Sequence, residues 1–100
     1  MIPVLNPAGV QEFLDLGLYG WAMSRFSGCW VAFKTVAETV DSSASVHVDP
    51  NRVKIVTPVG FEMPEGGLNI RWPDEFLPQE DRLHRYKIQA ALAFARANRL

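Results

Sequence analysis

Apolar positions in the first third of the chain recur at helical spacing. Val10, Phe13, Leu14, Gly17, Leu18, Trp21 and Ala22 fall on one face, with Gln11, Glu12, Asp15 and Tyr19 off it. Asn6-Pro7 reads as the start: asparagine as N-cap accepts a backbone N–H bond, and proline fits the first turn, where no N–H is needed. Glu12 lies where the macrodipole favours a carboxylate, and Ser27-Gly28 is the stop. The pattern predicts a helix over residues 7–26. Gly17 and Gly20 weaken it by about 1 kcal/mol each relative to alanine, so something is expected to pack closely against them. The run Cys29-Trp30-Val31-Ala32-Phe33-Lys34 is too short for periodicity to decide its type. Its aromatic and β-branched content, directly after a helix and a glycine, predicts a strand buried on both faces. Helix then buried strand is half of a parallel α/β unit, and the other half is not evident in this chain.

Beyond it, residues 35–41 allow one helical turn, and Asp41-Ser42-Ser43 is turn chemistry. Ala44, Val46 and Val48 alternate with Ser45 and His47, which predicts a half-exposed strand over 44–48. Asp49-Pro50-Asn51 reads as a turn and Val53 to Thr57 as a second short strand, so a hairpin is expected. Residues 58–78 hold four of the seven prolines and three of the seven glycines, which marks an arm. Its many apolar members (Phe61, Met63, Leu68, Ile70, Trp72, Phe76) predict an arm pinned along a surface, with a short extended piece at Leu68 to Trp72. Pro78 or Gln79 opens the last helix, with Leu83, Tyr86, Lys87, Ala90, Phe94 and Ala97 on one stripe. Glu80–His84 and Asp81–Arg85 are i,i+4 pairs with the acid N-terminal, worth a few tenths of a kcal/mol. With no glycine or proline stop, this helix is expected simply to run out, as at a cut boundary. The fold class is α/β, a partial domain built of a long N-terminal helix, a buried strand, short hairpin strands, the arm and a C-terminal helix.

Charge and cysteine usage narrow the partners. Ten Lys+Arg against eleven Asp+Glu give a formal charge of −1, whereas a nucleic-acid face needs a basic excess; nucleic acid is not an expected partner. The single cysteine excludes an internal disulfide and any four-cysteine metal or iron–sulfur site within the chain. No run reaches the roughly 18 apolar residues of a membrane span, and Met1-Ile2-Pro3 opens no basic leader, so a cytoplasmic protein without a membrane partner is expected.

The search for chemistry finds little. Cys29 sits in an apolar run with no cation beside it, the setting of an inert buried thiol. His47 and His84 lack neighbours at metal-ligand spacing and read as surface residues. A triad of His47 with Ser42 or Ser43 has no supporting nucleophile-elbow spacing. Gly66-Gly67-Leu68-Asn69 lacks the phosphate-loop pattern and reads as a turn. Arg82, Arg85, Arg96 and Arg99 are diluted by Glu80, Asp81 and alanines, giving a solvated or interface-facing helix. Trp21, Trp30, Trp72 and the six phenylalanines read as core or interface material. No catalytic, cofactor-binding or metal-binding residue is assigned.

Several ordered strings nevertheless resemble one family. They are Val4-Leu5-Asn6-Pro7, Val10-Gln11-Glu12-Phe13-Leu14-Asp15, Gly17-Leu18-Tyr19-Gly20, Ser24-Arg25-Phe26-Ser27-Gly28-Cys29-Trp30-Val31, Met63-Pro64-Glu65-Gly66-Gly67-Leu68-Asn69-Ile70-Arg71 and Ala93-Phe94-Ala95-Arg96-Ala97-Asn98. Together they resemble an internal stretch of the long bacterial indolepyruvate:ferredoxin oxidoreductases, of the thiamine-diphosphate-dependent 2-oxoacid:ferredoxin family, over nearly the whole chain. The resemblance implies a parent that oxidatively decarboxylates an aryl 2-oxoacid to an acyl-CoA, using thiamine diphosphate with Mg²⁺ and iron–sulfur clusters, with CoA and ferredoxin as partners.

Residues 1–57 would be the C-terminal part of the aminopyrimidine-binding-type domain, 58–78 the connecting arm, and 79–100 the start of a linker helix to the next domain. The family's G-D-G…N signature and cysteine clusters are absent here. Its activating glutamate is expected upstream of Met1, and the role is not given to Glu12 or Glu38. No cofactor is expected in this chain. Ligands gather beyond the carboxyl ends of parallel strands, so Lys34 and Thr35 are the only candidates for an active-site edge. The expected partner is the remainder of the parent, with self-association of the segment itself. A reading from a different class is a free-standing α+β interaction module whose Trp/Phe-rich arm grips a partner.

Overall fold

The computed structural model describes residues 1–69 and 75–100. Among them the elements run β1 (Val4–Leu5), α1 (Val10–Ser27), β2 (Ala32–Phe33), α2 (Ala37–Val40), α3 (Phe76–Arg82), a π-helical turn (Leu83–Lys87) and α4 (Ile88–Asn98). The last three form one continuous rod over 76–98. Helices plus a two-stranded parallel sheet make this a mixed α/β chain. Val4 pairs with Ala32 and Leu5 with Phe33 in parallel register, and α1 is the crossover. Val4-Leu5 is thus the missing half of the α/β unit, too short to announce itself by alternation.

This pairing also delays α1. Ala32 N–H donates to the Pro3 carbonyl at 2.9 Å and Lys34 N–H to the Leu5 carbonyl at 2.8 Å, so the backbone is extended up to Leu5. Pro7 disfavours helical backbone at Asn6. The helix therefore begins at Val10, three residues later than predicted, with an extended Gly9 as N-cap. Asn6 is not the cap. Glu12 takes over instead, its carboxylate accepting the Ala8 N–H at 2.6 Å. The stop is as expected: Gly28 is left-handed at φ 71°, and its N–H donates to the Ser24 carbonyl.

The face that α1 buries differs from the predicted stripe. Met23 is buried with Ala91 and Phe94 of α4, and Tyr19, Ala22, Phe26, Val31 and Ala95 pack around them. Leu14, Leu18 and Trp21 are exposed instead, at 46%, 54% and 69%. The cause is Gly20: its ideal Cβ position lies 3.2 Å from Leu5 Cδ1 and 3.9 Å from Val31 Cγ1, so this is where the sheet lies down on the helix. At Gly17 the expectation fails, since nothing comes within 4 Å.

β2 is not buried on both faces. Trp30 is 84% exposed, because no described element covers its face, and Phe33 stays partly open to solvent although it lies against α1. The hairpin over 44–57 does not form either; no residue between 44 and 57 is in a strand. Its backbone groups bond to side chains of the helices. Gln11 accepts His47 N–H at 2.7 Å and donates to the His47 carbonyl at 3.2 Å. Asn98 accepts Val56 N–H at 2.7 Å and donates to the Val56 carbonyl at 2.8 Å. Two amides thus bracket the segment as a neighbouring strand would. Arg52 adds an ion pair to Asp15 at 3.2 Å.

The described part of the arm is irregular and pinned. Leu68 is buried, and Phe61 meets Phe26 edge-on at 6.0 Å. Leu68 and Asn69 form a bend, not the start of an extended piece, and the rest of that piece (Ile70 to Trp72) lies outside the described residues. The rod starts at Phe76, ahead of the predicted Pro78 or Gln79; Pro78 falls in its first turn, where its missing N–H leaves no bond unmade. The rod does not run out. Arg99 turns left-handed at φ 57°, and Leu100 N–H reaches back to the Ala95 carbonyl at 2.9 Å, closing the end.

Candidate functional site

Strand–helix–strand geometry directs attention to the carboxyl ends of β1 and β2. Lys34 and Thr35 follow β2 there, and both side chains are exposed. The Lys34 N–H is spent on the Leu5 carbonyl at 2.8 Å. Phe33 turns back onto α1, meeting Phe13 edge-on at 5.9 Å. Beside this unit runs a shallow groove of about 470 Å³ lined by Gly17, Gly20, Trp21, Ser24, Trp30, Val31 and Phe33. Its shape follows from sequence: the two glycines remove side chains from α1, and the two tryptophans form the walls. The surface is mostly apolar. Ser24 supplies the one hydroxyl, already donated to the Cys29 carbonyl at 2.7 Å. Such a surface can receive another apolar surface but holds no group able to move a proton or attack a carbonyl.

The remaining sequence candidates are scattered. Cys29 is buried and free, its N–H donated to Ser27 Oγ at 3.1 Å. Ser27 Oγ in turn donates to the Met23 carbonyl at 2.7 Å; this chain of bonds fixes the helix end. His47 Nε2 lies 3.7 Å from Asp49 at the surface. Ser42 gives its hydroxyl to the Thr39 carbonyl at 2.6 Å, and no described hydrogen bond joins Ser42 or Ser43 to His47. His84 pairs with Glu80 at 3.8 Å and Arg85 with Asp81 at 2.8 Å, the two expected helical pairs. Gly66 and Gly67 occupy a turn at φ 82° and 75°, closed by Gly67 N–H to the Pro64 carbonyl at 3.0 Å. Among the described residues no three His, Cys, Asp or Glu side chains gather to hold a metal, and no helix is long and apolar enough to cross a membrane.

Two residues matter more than their sequence setting suggested. Arg82 and Lys87 are buried cations, each 9% exposed. Arg82 donates to the carbonyls of Gly67 and Glu65, so it clamps the turn of the arm to the rod. The available signal was a charge on an otherwise apolar stripe, visible at Lys87.

Comparison with known proteins adds no family: no family model matches the chain, and neither a curated protein nor a solved structure matches it.

Proposed function

We propose that this chain is a non-catalytic structural segment of an enzyme of the indolepyruvate:ferredoxin oxidoreductase type, one that converts an aryl 2-oxoacid to an acyl-CoA with thiamine diphosphate, Mg²⁺ and iron–sulfur clusters. The α/β organisation is that of a partial domain: residues 1–57 end an aminopyrimidine-binding-type domain, 58–78 connect, and the rod leads toward the next domain. One observation carries the reading beside the ordered strings. A parallel unit with two-residue strands leaves Trp30, Trp21 and Phe33 exposed at 84%, 69% and 38%, an apolar face of the kind that further strands and helices cover in a complete doubly wound sheet. Lys34 and Thr35 would then edge the parent's active-site mouth, and ferredoxin and CoA would be partners of the parent alone, in the cytoplasm.

The test is the coding DNA on either side of these 100 codons. The expected result is an open frame carrying a G-D-G…N signature and cysteine clusters, whose purified product reduces ferredoxin with an aryl 2-oxoacid and CoA. A start codon at Met1 with a stop after Leu100 overturns the reading.

A further inference from the structure

Residues 47–56 lie beside α1 and are held at their two ends in different ways. At the first end, one carboxylate serves two anchors. Asp15, its side chain 21% exposed, accepts Arg52 Nε on both oxygens, at 3.2 and 3.3 Å. It also accepts Gln11 Nε2 at 3.3 Å, which steadies the amide that brackets His47. Between these anchors the chain ties itself. Asn51 N–H donates to Asp49 Oδ1 at 2.8 Å and Arg52 N–H to the Asp49 carbonyl at 3.1 Å, and the His47 ring lies 3.7 Å from the Asp49 carboxylate. At the other end, Asn98 brackets Val56 and also donates to the carbonyl of Phe94, a core residue, at 3.0 Å. One end is thus held by a partly exposed charge pair, the other by an amide tied to the core. Between the ends, Pro50, Val53 and Ile55 line a groove of about 430 Å³ with Leu18, Trp21 and Ala22 of α1, so apolar packing of the segment onto the helix is incomplete.

We propose that residues 47–52 form a flap, hinged at Val56 and latched by Asp15, that controls access to this flank of α1. When the Asp15 charge is screened or removed, Arg52 and the Gln11 bracket loosen together. The Asn98 bracket carries no charge and stays. The bonds to Asp49 keep the flap in one piece as it moves. An ion pair this exposed shifts an equilibrium only a few-fold, so the flap opens and closes readily and responds to ionic strength. Opening bares Leu18 and Ala22. Trp21 lines both this groove and the groove that holds Trp30, so an open flap enlarges the apolar face on that side of the chain. The device needs no parent enzyme to operate.

The test is amide exchange and a soluble paramagnetic probe, followed by NMR on the dilute protein as salt rises from about 0.01 M to about 1 M. The expected result is exchange at the His47 N–H that speeds up about threefold relative to Val56. The probe should broaden the Leu18 and Ala22 methyl signals over the same range. Asp15→Asn keeps the shape and removes the charge; it should give the open pattern already at low salt, with little further response. Val56 exchanging in step with His47 overturns the hinge, since the segment then leaves as a whole. A His47 N–H indifferent to salt overturns the latch, and unchanged methyl signals overturn the flap as a cover. The salt series is run on the unaltered protein and decides the matter even if Asp15→Asn does not fold.

Discussion

At the scale of single residues, two left-handed positions carry opposite expectations. Gly28 ends α1 at φ 71°, and an added Cβ would lie 2.5 Å from the Leu68 carbonyl oxygen and 2.9 Å from its carbon. Both are backbone atoms, so no side chain can swing away. Gly28→Ala should therefore combine left-handed strain with a displaced arm and destabilise by about 2 kcal/mol or more. Arg99 closes α4 at φ 57° with a side chain in place, and here glycine relieves the strain. Arg99→Gly should stabilise, by up to about 1 kcal/mol. Urea unfolding of both variants reads the signs; a neutral Gly28→Ala would mean that the arm does not sit on the end of α1. The two positions also separate what a sequence discloses about helix ends. Ser27-Gly28 is a legible stop because glycine is the usual left-handed residue. Asn98-Arg99-Leu100 is not, because its closure depends on Leu100 N–H finding the Ala95 carbonyl.

At the scale of elements, what could be read in advance was local and what could not was tertiary. The 3.6-residue spacing located both long helices, and the i,i+4 pairs on the rod formed as expected. The buried side of α1 differs from the apolar stripe because a glycine, which scores as nearly neutral in any pattern, marks a point of close approach to Leu5 and Val31. The 44–57 segment alternates like a hairpin, and nothing local says that two distant amides will take its backbone bonds. Gln11 and Asn98 do so across 36 and 42 residues. Lys87 was legible as a charge on an apolar stripe, but its burial depends on how the rod packs in the fold. The bracket makes a specific expectation. Gln11→Ala and Asn98→Ala should each cost about 1 kcal/mol or less, because the segment is solvent-exposed and water replaces the lost partner. Their signature is local: amide exchange should speed up at His47 in the first variant and at Val56 in the second, while Met23 and Phe94 keep their protection. Uniform loss of protection across the chain would show that the segment is part of the cooperative core.

At the scale of the whole molecule, the chain is extended for its length. Its radius of gyration is 15.4 Å and its extents are 46 × 29 × 20 Å, against about 13 Å expected for a compact chain of this size. Among the described residues few large side chains are fully buried, and Phe94 is the largest of them. Trp30, Trp21, Leu18 and Leu14 stand exposed, and contiguous apolar surface beyond a few hundred Å² marks a face that something else covers. The two-stranded sheet adds open strand edges to the same region. In the proposed parent, neighbouring strands and helices would lie there. Separated from them, the chain is expected to cover that face with further copies of itself. Light scattering should give a mass that rises with concentration, accompanied by binding of a hydrophobic-surface dye. Trp21→Arg and Trp30→Lys should lower both readouts, since each places a charge where an apolar partner would otherwise seat. The rod should be unaffected, because neither tryptophan belongs to the Met23–Ala91–Phe94 core. A concentration-independent monomer that binds no dye would instead mean that this face is stable in water as it stands, and the segment reading would lose the observation that carries it.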